Sequence, residues 1–111
     1  MYLHAGESYQ RQNSELYDAI LLGTKRIGHG FNLCMHPDLT QLVKDNNICV
    51  EVCPVSNKLL GYVHDLRTHP SRALLSAGVK MSISPDDHGF FCSPGCTLDW
   101  VVAFCAWDLS L

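Results

Sequence analysis

The sequence has no basic excess. Its 8 Lys and Arg are outnumbered by 11 Asp and Glu, for a formal charge of -3. A protein that follows a phosphate backbone needs a basic face, so no nucleic-acid partner is expected. No apolar run approaches the roughly 18 residues needed to span a bilayer, and no membrane partner is expected either. No signal-peptide pattern precedes the first strand-like segment. The C-x-x-C motif is absent too, although there are six cysteines. Two pairs, Cys49/Cys53 and Cys92/Cys96, are spaced C-x3-C, which matches neither a zinc ribbon nor a dithiol redox pair. Cys49 and Cys53 lie in an apolar run and read as buried thiols. Cys92 and Cys96 flank Ser-Pro-Gly in a loop. They leave two readings open: a disulfide if the protein is secreted, free thiols otherwise.

What is present is an alternation. The 111 residues suffice for one small domain. Tyr2–Ala5 reads as a short strand. A helical stretch follows over Ser14–Leu22, with Leu16, Ala19 and Ile20 on one face and Gly23 as a stop. Arg26–Gly28 is a second strand. In "MHPDLTQLVKD", Pro37 suits a first helical turn and Leu39, Leu42 and Val43 form a stripe. "ICVEVCP" is the third strand: Ile48, Val50 and Val52 face one way, Cys49, Glu51 and Cys53 the other, and Pro54 reads as its end. A longer connection leads to His69-Pro70 and a helix with Ala73 and Leu74 on its stripe and Gly78 as cap. "VKMSIS" is the fourth strand. After a Pro/Gly-rich loop, Thr97 reads as the N-cap of a helix running to Leu111. Repeated strand–helix units predict a parallel α/β sheet.

Each strand ends in reactive side chains. The first leads to His4 and Glu7, and the second to "GHG" with His29. The third carries Glu51 and ends near Ser56-Asn57. The fourth ends in "SPDD", with Asp86 and Asp87. In parallel α/β folds the C-terminal strand ends form the active-site face. Taken singly, each residue has a structural reading. His4 suits a hydrogen-bonded core position, Glu7 a solvated loop, and Asp86-Asp87 a turn. Four strands out of four placing polar groups at the same end favours a metal and acid/base site. His36 and His69 each precede a proline at a helix start and read as structural. His64 and His88 fall in loops with no assigned role.

"HAGE", "RIGHGF", "EVCPVSN" and "SISPDD", in that order, resemble the C-terminal half of the adenosine deaminase family. The branch of adenosine deaminase-related growth factors is the most similar, and the AMP deaminase branch fits less well at "EVCPVSN". The motifs cover residues 4 to 87. The resemblance implies an α/β fold, the C-terminal half (about four β/α units) of a (β/α)8 TIM barrel. It makes residues 1–111 a partial catalytic domain, barrel strands five to eight, truncated at both ends. It implies zinc-dependent hydrolytic deamination of adenosine or 2'-deoxyadenosine to inosine and ammonia. By that correspondence His4 and Asp86 are zinc ligands, Glu7 shuttles protons, and His29 orients and polarises the attacking water. Asp87 hydrogen-bonds the purine, and Glu51 braces His29 from behind. The same resemblance implies an extracellular parent, with a homodimer among its assemblies.

Zinc lowers the pKa of water to about 7, and a carboxyl group positioned as Glu7 can protonate the ring as it is attacked. The cytidine-deaminase design, with Cys ligands from P-C-x-x-C, is not met. The sequence also lacks any His-x-His pair, the source of the family's two other zinc ligands. The 111-residue chain alone is therefore expected to be inactive. Two alternatives stand: a truncated non-catalytic product, or a related amidohydrolase acting on another aminopurine. His88 stands where the family usually has proline, which puts the loop's shape in question more than its chemistry.

Overall fold

A computed structural model describes residues 1–110. Four short strands form one parallel sheet: β1 (Tyr2–Ala5), β2 (Arg26–His29), β3 (Cys49–Val52) and β4 (Met81–Ile83), in the order β1-β2-β3-β4. Five α-helices connect and follow them: α1 (Glu15–Leu21), α2 (Pro37–Asp45), α3 (Pro54–Leu59), α4 (Pro70–Ser76) and α5 (Cys96–Ala106). Two single turns of 3-10 helix, Phe31–Met35 and Leu66–Thr68, complete the path.

Register puts side chains in two sets. Leu3, Ile27, Val50 and Met81 are neighbours across the sheet, and so are Val52 and Ile83. This set meets the helices. Ile27, Val50 and Val52 are fully buried, together with Leu16, Val43, Leu74 and Ala103. Because strand side chains alternate, the next row, His4–Gly28–Glu51–Ser82, lies on the other face. Arg26 stacks over the Tyr2 ring there at 5.6 Å and donates to Ser82 Oγ at 3.0 Å.

All five helices end alike. Each is followed by a residue with positive φ: Gly23, Asn47, Gly61, Gly78 and Asp108. The next amide then reaches back five residues, as Thr24 N–H to Ala19 C=O and Ile48 N–H to Val43 C=O. Tyr62 to Asn57, Val79 to Leu74 and Leu109 to Phe104 repeat the bond. This is the Schellman closure, which satisfies carbonyls that a helix end leaves free.

Three sequence expectations change. The stretch after Pro54 is helical, because proline fits the first position of a helix as well as the end of a strand. Helix α5 begins at Cys96, with Gly95 as its cap residue, so Thr97 lies inside the first turn. It ends at Ala106 because Asp108 turns left-handed; Leu111 lies outside the described residues. All six cysteines are free thiols, so Cys92 and Cys96 form no disulfide. Cys53 is buried and Cys49 half-buried. On α5, Trp100, Val101 and Phe104 are exposed. No helix among the described residues is long and apolar enough to cross a membrane.

Candidate active site

The strand ends meet around a cavity of about 200 Å³ lined by His4, His29, Glu51, Cys53, Ser84 and Asp86, among others. Backbone conformation builds this convergence. By strict alternation His29 would share the face of Ile27 and point into the core. Its φ of 63° breaks the alternation, and its ring lies 4.3 Å from that of His4. Asp86 also has positive φ, 55°. Left-handed backbone at a residue with a side chain costs energy, and such strain concentrates at functional sites. The two glycines of the first strand ends are needed for the same reason. Gly6 (φ 72°) has no room for a Cβ, which would sit 2.8 Å from Leu16 Cδ2. At Gly30 (φ 58°) a Cβ would press on Ile27 and Val50, both at 3.1 Å.

Glu7 sits between the two imidazoles. Its Oε2 pairs with His4 Nε2 at 2.7 Å, and its Oε1 lies 3.4 Å from His29 Nδ1. Oε1 is buried and has no hydrogen-bond partner among the described residues. A buried carboxylate oxygen without a donor is costly, so this atom is available to a proton or to a donor from outside the chain. The two histidines differ in setting: the His4 side chain is 63% exposed and that of His29 only 4%. Burial lowers the His29 pKa. Glu7, Asp86 and Glu51 oppose that shift, and His4 adds to it.

Asp86 is held from α3, where the Ser56 hydroxyl donates to Asp86 Oδ2 at 2.6 Å. Among the described residues, two groups of three side chains bring ligand atoms within 4.8 Å of one another: His4, Glu7 and His29, and His29, Cys53 and Asp86. Burial, reinforced by Asp86 and Asp99, pushes the Cys53 thiol up to about 12, so it is a protonated thiol rather than a ready thiolate. That leaves imidazole and carboxylate donors, which suit a borderline divalent cation such as zinc. Neither group contains both His4 and Asp86, although both line the cavity, and two ligands would not complete a zinc sphere, since zinc sites take three or four protein ligands.

The expected site residues are not all gathered equally. His4, Glu7, His29 and Asp86 come together. Asp87 is exposed and does not line the cavity. Glu51 forms its close contact with Arg26, Oε1 to Nε at 2.6 Å. The side chain that approaches His29 from behind is Asn57, with Nδ2 3.5 Å from Nδ1. Ser56 and Asn57 belong to the motif "EVCPVSN", but their position over the strand ends depends on α3. Asp99 was missed altogether. It is fully buried on α5 and accepts a hydrogen bond from Val55 N–H at the start of α3, at 3.0 Å. Burial raises its pKa.

A family model described as adenosine deaminase matches residues 1–100. The chain belongs to the adenosine deaminase family. Adenosine deaminase 2 of Dictyostelium discoideum is 49% identical over 110 residues, which are 99% of this chain and 20% of that protein. Adenosine deaminase of Aedes albopictus is 42% identical over 106 residues, 93% of this chain and 20% of that protein. Among solved structures, adenine deaminase from Arthrobacter aurescens superposes with a TM-score of 0.86 at 26% identity. That match covers 98% of this chain and 33% of the other. The expected fold class therefore holds: α/β, with the consecutive β/α units of half a (β/α)8 barrel. The chain spans about a fifth to a quarter of the length of the curated relatives it matches. The adenosine deaminase family is metal-dependent.

Proposed function

We propose that this chain is the second half of the catalytic barrel of a longer zinc-dependent deaminase. Its substrate would be adenosine or 2'-deoxyadenosine, converted with one water to inosine and ammonia. His4 and Asp86 would hold the metal, together with two histidines from the other half of the barrel. Zinc, when bound, makes water a competent nucleophile at neutral pH. Glu7 would take the first proton that water gives up and deliver it to purine N1, where inosine keeps it; the second, released as the C6 hydroxyl becomes a carbonyl, would pass to the departing amine by the same carboxylate. His29 orients the attacking oxygen. Asp87, exposed beside Asp86, would hydrogen-bond the purine. Glu51, paired with Arg26, holds charge on the wall below His29.

The observation that carries this proposal is Glu7 Oε1, buried beside two imidazoles and without a donor. A structural carboxylate would have its hydrogen bonds filled, whereas a proton carrier needs a free oxygen. The open edges β1 and β4 and the exposed apolar face of α5 support the half-barrel, since an unclosed sheet leaves edges and faces uncovered. An extracellular location and a homodimer belong to this proposal through the resemblance to the growth-factor branch alone.

The deciding experiment is Glu7→Gln in the longer protein, followed by loss of adenosine absorbance. A fall in kcat of at least about 1,000-fold, with adenosine still bound, is expected of a general acid/base in this position. Unchanged turnover would remove Glu7 from the role. The 111-residue chain itself is expected to show no turnover with adenosine and zinc. A second reading, a deaminase of another aminopurine, is favoured by the likeness to an adenine deaminase. Comparing adenosine, adenine, AMP and guanine as substrates separates the two.

A further inference from the structure

A buried chain of hydrogen bonds runs from helix α4 to His29, and its direction is fixed because it starts at a backbone amide. The Ser71 N–H can only donate, and it donates to His69 Nδ1 at 3.0 Å. His69 is buried, and burial pushes its pKa down to about 4. Its ring is therefore neutral at pH 7. A neutral imidazole whose Nδ1 accepts carries its proton on Nε2. That Nε2 lies 3.0 Å from Asn57 Oδ1, so the amide oxygen accepts and the amide nitrogen faces the other way. It faces His29 Nδ1, at 3.5 Å, a long approach but one of donor to acceptor. His29 Nδ1 therefore carries no proton, which leaves the ring hydrogen on Nε2. Glu7 Oε1 lies 3.4 Å from the same Nδ1 without making a hydrogen bond to it, so the carboxylate does not take the place of Asn57 at that nitrogen. Ser71, His69, Asn57 and His29 are all buried, so water does not compete for these bonds.

We propose that His69 and Asn57 are positioning residues that fix the Nε2–H tautomer of His29. His29 is then a donor through Nε2, and such a donor stabilises an oxygen on which negative charge develops. It has no free nitrogen with which to take the proton from water, so that proton goes to Glu7. The effect on rate rests on the deaminase proposal above; the tautomer itself does not.

The test uses the longer protein. Asn57→Asp is nearly isosteric and replaces the donor facing His29 by an acceptor, drawing the ring proton to Nδ1. The expected outcome is a kcat lower by about 100-fold or more with KM changed less than about 3-fold, since holding a catalytic histidine in the wrong tautomer has cost as much as about 10,000-fold elsewhere. Ring-15N histidine spectra are expected to show the His29 proton on Nε2 in the wild type and on Nδ1 in Asn57→Asp. Should Asn57→Asp fail to fold, two substitutions of His69 decide. His69→Asn keeps an acceptor for Ser71 N–H and loses the donor to Asn57. His69→Gln keeps a donor at the Nε2 position and loses the acceptor. The first is expected to lower kcat about 10-fold at near wild-type Tm, and the second to recover most of that loss at a lower Tm. Activity that instead tracks Tm across the pair would overturn the proposal, as would a wild-type His29 with its proton on Nδ1. If the longer protein deaminates no aminopurine, the deaminase reading falls, and the nitrogen spectra still decide the tautomer.

Discussion

The two faces of the sheet are built for different ends. Toward the helices, Ile27, Val50 and Val52 have no exposed surface. On the opposite face, the Arg26 and Glu51 side chains keep 38% and 31% of theirs, and His4 more. A period of two residues separates these worlds, so a strand of four residues contributes to stability and to chemistry at once. The dry face holds the strands in place. The wet face carries charge that would be expensive inside a core and that only a site can use.

Breaking the dry face is expected to have the largest effect. Ile27→Ala removes a fully buried side chain and is expected to cost about 2–5 kcal/mol, measured as a shift in denaturant midpoint. The second test titrates the dry side. His69 is buried with a pKa lowered to about 4, against about 6.5 in an unfolded chain. Its neutral form is favoured by folding, so this contribution is complete above pH 6.5 and is lost as pH falls through the window to pH 4. Up to about 3 kcal/mol is at stake. Unfolding free energies at pH 7 and pH 4.5 are expected to differ more in the wild type than in His69→Asn. The smallest effect lies on the wet face. Arg26→Met breaks the half-exposed pair with Glu51 and is expected to change stability by about 1 kcal/mol or less. A loss there as large as that of Ile27→Ala would erase the distinction between the faces.

Much of this was legible in sequence. The strands announced themselves by alternation, as in Val50 and Val52 against Cys49 and Glu51. Helices α1, α2 and α4 were bounded by Gly23, Asn47 and Gly78, because a left-handed residue is a local signal. Helix α3 was not legible, since Pro54 is an equally good strand end and helix start. With it went the placement of Ser56 and Asn57. His69 read as structural from the proline after it, and that much is local. Its bond to Asn57 spans 12 residues and leaves no periodic trace. "GHG" promised a sharp turn at His29, but which way the ring would swing depended on the φ of one residue. Asp99, 44 residues from the amide it caps, had no local signal at all.

The helix closures have a consequence at the far end of the molecule. After Gly23, Asn47 and Gly78 the chain re-enters the sheet within two or three residues. Where each strand begins is thus set by a rigid turn at one rim, and its length then decides where it ends at the other. His29, Glu51 and Asp86 are aligned by dead reckoning from the opposite side of the protein. Dropping Lys25 from the turn before β2 would shift that strand by about 3.3 Å and exchange its two faces, sending Ile27 to the wet side. The accuracy of the chemistry is kept in turns that never touch it.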